Sequence, residues 1–504
     1  MITKTRSVIK NPPPDDLKNF AAQMPQAELT RYGNYNINTS VTARSAESTF
    51  FASDKDIGQK CMPWNKYQEI VAAQDEYIAA NDMILVEGCI GPDPDFQVGC
   101  SLLIEKKNAN IAAMQQQLYF QPTYQPSHEM TVIYTPNLSI QGYPNNRVIV
   151  VDLESYTTRI IGSDYFGESK KGGLRMWNQY VFDNGGLGLH AGCKIYPDIN
   201  GEEKLILIIG LSGTGKTTTT FRSQLDSLPV QDDFCALLPG GLVKATENGC
   251  FAKTYGLERM HEPVIYDALV NPDAWLENVT IKADGEIDFL DGSRTTNGRG
   301  TFTLDQIPHR NPTNLPPVSA IILLNRNFNI IPAVAKLKPE QAAAYFMLGE
   351  TTGTSAGGAS EAGKFLRVPG TNPFFCRQHA LQGNRFFDLL RSTGNIDVYL
   401  FNTGCVGGKP DDESSIKVRI QDSSTILEEI MQGTISWAED KDFGYFYAQE
   451  VPGLAREEIL QPFSLYRSQG RENEYISISG QIQKDRREFL NQFDGLYMQI
   501  INAV

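Results

Sequence analysis

The sequence predicts a mixed α/β protein with two or more domains, and three observations support this prediction. The chain has 504 residues, which is enough for more than one hydrophobic core. Segments with strand composition alternate with segments of helical periodicity along much of its length. In the middle of the chain, the apolar run Leu205–Ile209 is followed by a glycine-rich turn and then by a segment of helical character, an order typical of α/β domains.

The N-terminal third of the chain is predicted to combine helices and strands. Residues 1–35 are expected to form a loosely ordered lead-in with one short helix at Asp15–Gln23. Beyond them, apolar periodicity of 3.6 residues predicts helices, and short apolar runs predict buried strands. These elements are the helices Lys66–Asn81 and Ile111–Leu118 and the strands Met83–Val86 and Val148–Leu153.

Strands and turns are predicted to dominate from about residue 191 to 310, and helices become more frequent after that. Asp284–Gly285 is a typical hairpin turn between the strands Val279–Ile281 and Ile287–Phe289. Residues 349–364 are rich in glycine, serine and threonine, which is typical either of a mobile lid or of a plain surface linker. The later elements are the strands Ala320–Leu324 and Ile396–Phe401 and the helices Pro339–Leu348, Ser424–Gln432 and Arg486–Phe493.

The composition is that of a globular protein whose main partners are neither nucleic acids nor membranes. Hydrophobic residues make up 41% of the chain and aromatic residues 10%, which is ordinary for this class. The formal net charge is −14, from 59 acidic and 45 basic residues, and this argues against a nucleic-acid surface or an anionic membrane as the partner. No apolar run approaches the length needed to span a membrane.

The cysteines and the N-terminal segment predict a cytoplasmic protein. The eight cysteines are scattered, and no two of them form a Cys-x-x-Cys pair. This pattern indicates reduced thiols rather than a disulfide framework or a zinc site. Residues 1–16 are polar and contain three consecutive prolines, so they do not have the pattern of a signal peptide.

The clearest motif in the sequence is a phosphate-binding loop. Its pattern is two glycines with four residues between them, followed by Lys and Thr. It consists of Gly210, Leu211, Ser212, Gly213, Thr214, Gly215, Lys216 and Thr217. The glycines let backbone N–H groups turn inward around phosphate oxygens, Lys216 neutralises the β- and γ-phosphates, and the Thr217 hydroxyl binds Mg²⁺. The alternative is a glycine-rich turn that binds nothing, and the strand in front of the loop disfavours it.

A nucleotide site of this kind needs an acidic residue for its metal, and Asp232–Asp233 is the nearest candidate. The pair follows the short apolar stretch Leu228–Val230 and is expected at a strand end that faces the loop. Spacing alone leaves a solvated acidic turn as an equal alternative. Spacing also assigns no role to several other polar positions, namely Arg44, Lys170–Lys171, His190 and Arg299.

Taken together, these positions belong to a set of motifs that resembles the ATP-dependent phosphoenolpyruvate carboxykinase family. The phosphate loop at Gly210–Thr218 is identical to the family's GLSGTGKTT. The resemblance extends from about residue 38 to 470, and the motifs occur in the family's order. The further matches are Thr42–Ser45, Tyr165–Gly172, Leu189–His190, Phe251–Thr254, Leu276–Val279, Ile287–Phe289 and Asn402–Gly404.

The resemblance implies two metal sites. In the first, Lys171, His190 and Asp233 bind a transition metal, usually Mn²⁺, beside the γ-phosphate. In the second, Thr217 binds the Mg²⁺ that accompanies ATP. A lysine ligates a metal only as the neutral amine, so the pKa of Lys171 has to be strongly depressed, and the neighbouring Lys170 would contribute to that.

The resemblance also implies which side chains contact the substrates. Lys216 and Arg299 would stabilise the transferring phosphoryl group, and Arg44 would bind the substrate carboxylate with Tyr165 nearby. Lys253 and Glu262 would lie near the nucleoside. The implied nucleotide-binding set therefore comprises Gly210–Thr218 together with Lys253, Glu262 and Arg299.

The implied architecture has two domains with a cleft between them. Residues 1–190 would form an N-terminal substrate-binding domain, and residues 191–504 a C-terminal mononucleotide domain with the lid at about 349–364. The implied reaction decarboxylates oxaloacetate and phosphorylates the product with ATP, giving phosphoenolpyruvate, CO₂ and ADP. The expected partners are these small molecules with Mg²⁺ and Mn²⁺, and assembly into a homo-oligomer is left open.

Departures from the family motifs keep two other functions open. The family's GDDEHGW is Gln231–Leu237 here, its lid lysine is absent from Glu350–Gly358, and Phe463 stands where the family has a nucleotide-contacting arginine. One alternative is a small-molecule kinase on the same fold with a different acidic acceptor, and the other is a regulatory nucleotide-binding protein without catalysis. The retained phosphate and metal positions argue against the regulatory protein. Arg44 with Tyr165 favours the carboxykinase over the kinase.

Overall fold

A computed structural model describes residues 5–122, 128–197, 202–211, 213–353 and 364–504. Helices and strands alternate along the chain in the mixed α/β arrangement that the sequence predicts. None of the helices in these described ranges is long and apolar enough to cross a membrane. The helices are α1 (Pro14–Ala22), α2 (Trp64–Ala79), α3 (Ala109–Leu118), α4 (Phe166–Asp183), α5 (Lys216–Phe221), α6 (Pro263–Leu269), α7 (Pro339–Leu348), α8 (His379–Thr393), α9 (Ile420–Gln432), α10 (Pro462–Ser468), α11 (Glu472–Leu490) and α12 (Met498–Ile501).

The first large sheet has eight strands, all from the N-terminal part of the chain. In sheet order they are β1 (Ser7–Lys10), β6 (Asp82–Ile90), β7 (Val98–Glu105), β8 (Glu129–Thr135), β10 (Thr157–Ile161), β9 (Val148–Asp152), β4 (Thr49–Ala52) and β5 (Cys61–Met62). The sheet is mixed, since β6 and β7 are antiparallel whereas β7 and β8 are parallel. Helices α3 and α4 pack against it and bury its apolar face.

The second large sheet carries the phosphate loop at the carboxyl end of one of its central strands. In sheet order its strands are β14 (Leu228–Gln231), β12 (Ala191–Pro197), β13 (Glu203–Ile209), β22 (Val318–Asn325), β26 (Asp397–Asn402), β23 (Val334–Leu337), β30 (Phe446–Glu450) and β29 (Ser436–Glu439). Strands β13, β22 and β26 are parallel neighbours. Both faces of β13 are covered by hydrophobic side chains, which explains why Leu205–Ile209 is apolar without alternation.

Smaller sheets connect the two large ones. A five-stranded sheet consists of β17 (Gly249–Lys253), β21 (Arg299–Thr303), β18 (Trp275–Glu277), β3 (Tyr35–Ile37) and β2 (Ala27–Leu29). A three-stranded sheet consists of β11 (Leu187–Leu189), β15 (Cys235–Leu237) and β16 (Val243–Ala245). The two-stranded ribbons are β19 (Thr280–Ile281) with β20 (Ile287–Asp288), β24 (Glu350–Thr352) with β25 (Phe365–Arg367), and β27 (Cys405–Val406) with β28 (Ile416–Lys417).

The predicted division at residue 190 runs between the two large sheets. The first sheet uses only strands before this residue, and the second uses only strands after it. The five-stranded sheet crosses the division, because β3 pairs in parallel with β18. The two-domain arrangement therefore includes a sheet to which both parts of the chain contribute strands, and the boundary at 190 stays a prediction.

Most predicted elements are confirmed, and two predictions were wrong. Helix α7 has the predicted bounds, and the hairpin at Asp284–Gly285 joins β19 and β20 as expected. The segment 1–35 is not a loose lead-in, since it contributes β1 to the first large sheet and β2 to the five-stranded sheet. Helix α11 begins at Glu472 rather than at the predicted Arg486. The prediction missed its first part because the buried face includes the polar residues Ser479 and Arg486, so the sequence there has no apolar periodicity.

Candidate active site

The phosphate loop leaves the carboxyl end of β13 and leads into α5. Gly213 and Gly215 have φ angles of +87° and +95°, values that residues with a side chain seldom adopt, so glycine is required at both positions. The Thr214 hydroxyl donates a hydrogen bond of 2.8 Å to the carbonyl oxygen of Leu211, which closes the loop on itself. Ser212, which the sequence also assigns to the loop, lies outside the described residues.

A cavity of about 370 Å³ lies over this loop and brings most of the predicted site residues together. Its size is within the range of small-molecule sites in enzymes. Gly210 and Thr214 belong to the loop but do not line the cavity. The predicted residues that line it are Arg44, Tyr165, Lys171, His190, Leu211, Gly213, Gly215, Lys216, Thr217, Thr218, Asp233, Lys253, Glu262 and Arg299.

The Asp233 carboxylate is the point at which side chains from several elements meet. Its Oδ1 lies 2.9 Å from His190 Nε2 and 2.9 Å from Lys216 Nζ. Its Oδ2 lies 2.7 Å from Lys171 Nζ and 2.7 Å from Lys170 Nζ. The three residues that the family resemblance assigns to a transition metal therefore converge, although Lys171 and His190 stand 62 and 43 residues before Asp233 in the chain.

The electrostatic environment favours the protonation states that a metal needs. Burial lowers the pKa of Lys171 to about 8, with Asp233 opposing this shift and Lys170 adding to it. Burial, followed by the charge of Lys216, lowers the pKa of His190 to about 3. Burial alone would raise the pKa of Asp233, but the ammonium groups around it hold that pKa well below its ordinary value. Near neutral pH, the imidazole therefore carries a free lone pair and the carboxylate is ionised.

These three groups fit a divalent transition metal. His190 Nε2 and Asp233 Oδ1 lie 2.9 Å apart, so the neutral imidazole donates to the carboxylate when its proton is on Nε2, and both atoms offer lone pairs to a bound cation when the proton is on Nδ1. Two nitrogen donors and one oxygen donor suit Mn²⁺ better than Mg²⁺. No group of three or more His, Cys, Asp or Glu side chains forms a metal site in the described part of the chain, so the lysine amine is needed to complete a set of three.

The neighbouring Asp232 serves the phosphate loop instead. Its Oδ2 accepts a hydrogen bond of 2.7 Å from the Thr217 hydroxyl, and its Oδ1 is buried without a partner. This all-oxygen environment suits Mg²⁺. The next threonine of the loop, Thr218, donates to Glu262 at 2.6 Å and so ties the loop to the side of the cavity where the resemblance places the nucleoside. The structure thus separates two acids that spacing alone could not distinguish.

The loop that carries Arg44 is fixed from two sides. The backbone N–H of Ser45 donates to the Glu168 carboxylate at 2.5 Å. On the other side, the Asn297 amide donates to the carbonyl oxygen of Thr42 at 2.6 Å. These contacts hold the backbone of this loop at the cavity, so that the Arg44 side chain lines the same space as Lys171.

Asn297 also organises the residues opposite Arg44. Its side-chain oxygen accepts a hydrogen bond of 2.9 Å from the Arg299 guanidinium, which lies 5.2 Å from the centre of the Phe251 ring. The Arg299 Nε is buried without a hydrogen-bond partner among the described residues, and the side chain lines the cavity. Tyr165 is buried against Phe251 with 4% of its surface exposed. Arg299 therefore has donor capacity left for an anionic ligand.

Two residues that the sequence analysis missed complete the cluster. The Glu247 carboxylate lies 2.8 Å from Lys170 Nζ, and the Phe374 ring lies 4.6 Å from Lys171 Nζ. Phe374 also packs against His190, with 6.1 Å between the ring centres. Neither residue stands in a motif, so no sequence signal was available to find them.

The structure also locates the predicted departures from the family. Phe463 lies on α10 and does not line the cavity; its ring packs edge-on against Tyr475, with 5.2 Å between the ring centres. The Phe463 side chain therefore contributes nothing to the lining of this cavity. Of the predicted lid, residues 354–363 lie outside the described residues, while Thr351 and Gly353 in front of them line the cavity.

Comparison with known proteins agrees with this site. A family model described as phosphoenolpyruvate carboxykinase matches residues 6–457. A protein named phosphoenolpyruvate carboxykinase (ATP) from Aeropyrum pernix is 30% identical over 494 residues, which cover 95% of this chain and 93% of that protein. Proteins of the same name from Afipia carboxidovorans and Bradyrhizobium diazoefficiens are 30% and 28% identical, and the matches cover 89% and 90% of this chain and 86% of each relative. The chain therefore belongs to the ATP-dependent phosphoenolpyruvate carboxykinase family.

Proposed function

We infer that the protein is an ATP-dependent phosphoenolpyruvate carboxykinase, which converts oxaloacetate and ATP into phosphoenolpyruvate, CO₂ and ADP. The observation that carries this conclusion, in a chain of this family, is the meeting of two functional sets in one cavity. The phosphate-loop residue Lys216 and the donor set of Lys171 and His190 contact the same carboxylate, that of Asp233. These contacts support a site in which phosphate binding and metal binding are adjacent, as this reaction requires.

The chemistry explains why positive charge is gathered there. Decarboxylation breaks a carbon–carbon bond and leaves its electron pair on an enolate, whose oxygen then attacks the γ-phosphorus of ATP while ADP leaves. A divalent cation bound by Lys171, His190 and Asp233 would supply Lewis acidity at the enolate and γ-phosphate oxygens. Lys216 and Arg299 line the same cavity, where their fixed charges stabilise the phosphoryl group during transfer. ATP, Mg²⁺ and Mn²⁺ are accordingly the cofactors.

Arg44 is the residue that separates this function from that of a small-molecule kinase. A guanidinium holds a carboxylate by two parallel hydrogen bonds, and Arg44 lines the cavity together with Lys171. Oxaloacetate is a dicarboxylate and presents a carboxylate that this guanidinium can bind, and an effect of Arg44 on oxaloacetate turnover would distinguish the carboxykinase from a kinase with a different acidic acceptor. We assign Arg44 to that carboxylate and Tyr165 to the wall beside it.

A coupled assay of phosphoenolpyruvate formation from oxaloacetate, ATP, Mg²⁺ and Mn²⁺ tests the function. The parent protein should turn over, and Lys216→Ala should lose several orders of magnitude in kcat, because it removes the charge that follows the phosphoryl group. Lys66→Ala is the control, since Lys66 is exposed on α2 and pairs only with Glu69. An inactive parent, or a Lys216→Ala rate within about tenfold of the parent, would contradict the proposal.

We also propose a cytoplasmic location and the domain division at residue 190. The location is supported by the cysteines, all eight of which are free thiols and seven of which are buried. The division is supported by the two large sheets, each of which draws its strands from one side of residue 190. Assembly into a homo-oligomer stays a prediction, which sedimentation of the purified protein would test.

A further inference from the structure

The carboxamide of Gln231 is buried at the end of β14, just before the two acidic residues of the site. Its side-chain nitrogen donates to the carbonyl oxygen of Phe234, to that of Asp232 at 3.2 Å and to the Thr246 hydroxyl at 3.1 Å. Its oxygen accepts the backbone N–H groups of Thr246 at 2.5 Å and Glu247 at 3.0 Å. Carbonyl oxygens surround the nitrogen and N–H groups surround the oxygen, so the orientation of the amide is defined by its partners.

The first link from Gln231 to the metal site runs through the backbone. Asp233 has a φ of +89°, which is rare for a residue with a side chain and costs free energy unless its surroundings enforce it. The carbonyl oxygens bound by Gln231 belong to the residues directly before and after Asp233, namely Asp232 and Phe234. One buried amide therefore holds both flanks of the strained residue.

The second link runs through a pair of side chains. Gln231 fixes the backbone N–H of Glu247, whose carboxylate lies 2.8 Å from Lys170 Nζ. Lys170 Nζ in turn lies 2.7 Å from Asp233 Oδ2. Gln231, Glu247 and Lys170 are all buried, so water cannot replace any of these contacts without a rearrangement. Lys170 thus holds one oxygen of the Asp233 carboxylate, which also contacts Lys171, His190 and Lys216 on the cavity side.

We propose that Gln231 is a positioning residue for the metal-binding carboxylate, and that it sets the affinity of the site through the conformation of Asp233. This inference rests on the proposed function, because it takes Asp233 as a metal ligand. It also gives a role to the segment Gln231–Leu237, in which the sequence departs from the family motif. Gln231 itself touches neither metal nor substrate.

The test measures Mn²⁺ binding to the purified, nucleotide-free protein by the loss of the free-ion electron paramagnetic resonance signal. Gln231→Met keeps the size of the side chain and removes every hydrogen bond of the amide. It should raise the Kd for Mn²⁺ at least tenfold. Gln74→Met is the matched control, because Gln74 is equally buried and its amide makes several hydrogen bonds in the first large sheet. It should lower the melting temperature but leave the Kd within twofold of the parent.

Gln231→Asn carries the test if the methionine variant does not fold. Asparagine keeps a neutral amide but is one methylene shorter, so it cannot reach both Phe234 and Glu247, and its Kd for Mn²⁺ should rise at least fivefold. A Kd within twofold of the parent in a folded Gln231 variant overturns the inference, as does an equal rise in Gln74→Met. Failure of the proposed function is a separate result, namely a parent protein that forms no phosphoenolpyruvate in the coupled assay.

Discussion

Arg486 and Glu350 form a buried ion pair, and its removal should lower the free energy of unfolding. Arg486 is fully buried on α11 and contacts both Glu350 oxygens, at 3.0 Å from Nε and 2.7 Å from Nη2. Its Nη1 donates to the Tyr345 hydroxyl at 3.0 Å. Glu350 also lies 3.1 Å from Arg367 on the neighbouring strand β25. Glu350 begins β24, so the pair ties α11 to a ribbon that lines the cavity.

Arg486→Met should lower the free energy of unfolding by about 3 kcal/mol. Breaking one side of a buried ion pair costs roughly 3–5 kcal/mol. The lower end applies here, because Arg367 remains beside Glu350 and keeps its charge partly compensated. Glu350→Gln should cost about 4–5 kcal/mol, since it leaves the Arg486 guanidinium buried without an anion. The double variant should cost less than the two single changes added together, because neither charge is then left unpaired.

Urea unfolding followed by tyrosine and tryptophan fluorescence measures these differences. Arg487→Met is the control, since this neighbouring residue on α11 is exposed and its side chain donates to the carbonyl oxygen of Val504. It should stay within about 0.5 kcal/mol of the parent. If the chain unfolds as one unit, an unfolding entropy of about 1 kcal/mol per degree converts the Arg486→Met loss into a drop of about 3 °C in Tm. A loss below 1 kcal/mol for Arg486→Met, or strict additivity in the double variant, would refute the reasoning.

The same pair predicts a pH dependence. Burial alone would raise the pKa of Glu350, but Arg486 and Arg367 outweigh it and hold that pKa below its ordinary value of 4.5. A carboxyl group with a depressed pKa in the folded state stabilises the protein above its unfolded-state pKa, and this contribution is lost as the pH falls through the folded-state value. The stability difference between the parent and Glu350→Gln should therefore be constant from pH 6 to 8 and shrink below about pH 4.5. A difference that grows in acid would contradict the assignment.

Three further predictions concern the cavity itself. Arg44→Lys keeps the charge but loses the two-pronged hydrogen bond, so the KM for oxaloacetate should rise and kcat/KM fall by about 2–4 kcal/mol in free-energy terms, while ATP binding measured by calorimetry stays nearly unchanged. Micromolar Mn²⁺ added to saturating Mg²⁺ should raise the rate of the parent, and His190→Ala should abolish that rise; a parent that does not respond to Mn²⁺ contradicts the nitrogen-containing site. For the predicted lid at 349–364, hydrogen exchange should slow when ATP and oxalate are added together, and equal exchange with and without these ligands would leave only the linker interpretation.

The fold was predictable where structure is determined locally and was missed where it depends on distant partners. Helix α7 has its proline, its apolar face and its terminal glycine within a dozen residues, and its bounds were predicted correctly. Strand β1 has only four residues and becomes a strand because Ser7 pairs with Asp82 across the sheet. Strand β3 is shorter still and pairs with Trp275, far along the chain. Such short strands carry no periodicity, so residues 1–35 gave no local signal.

The site shows the same contrast. Lys216 and Thr217 follow from the spacing of one loop, and the structure places both at the cavity. Lys171, His190 and Asp233 stand on a helix and on two separate turns between strands, so their meeting is a property of the tertiary fold and was inferred only through the family resemblance. Glu247 and Phe374 contact Lys170 and Lys171, and no spacing rule connects these two residues to the site. Gln231 stands in the segment that departs from the family motif, and its hydrogen bonds could not be inferred from the sequence.

The opposite pKa shifts of two adjacent lysines show how the cavity can be positive within a protein of net charge −14. Burial would lower the pKa of Lys170, but Asp233 and Glu247 outweigh it and raise that pKa above its ordinary value. Lys170 therefore stays charged and balances the carboxylates of Asp233 and Glu247. For Lys171, one residue on, burial outweighs the attraction of Asp233, its ion-pair partner among the described residues, and its pKa falls to about 8. With Lys170 balancing the buried acids, Lys171 can become a neutral ligand, and Lys216 and Arg299 line the cavity beside it. The two neighbouring lysines therefore differ in role: Lys170, together with Lys216, compensates the charge of Asp233, and Lys171 has the lowered pKa that a neutral ligand requires.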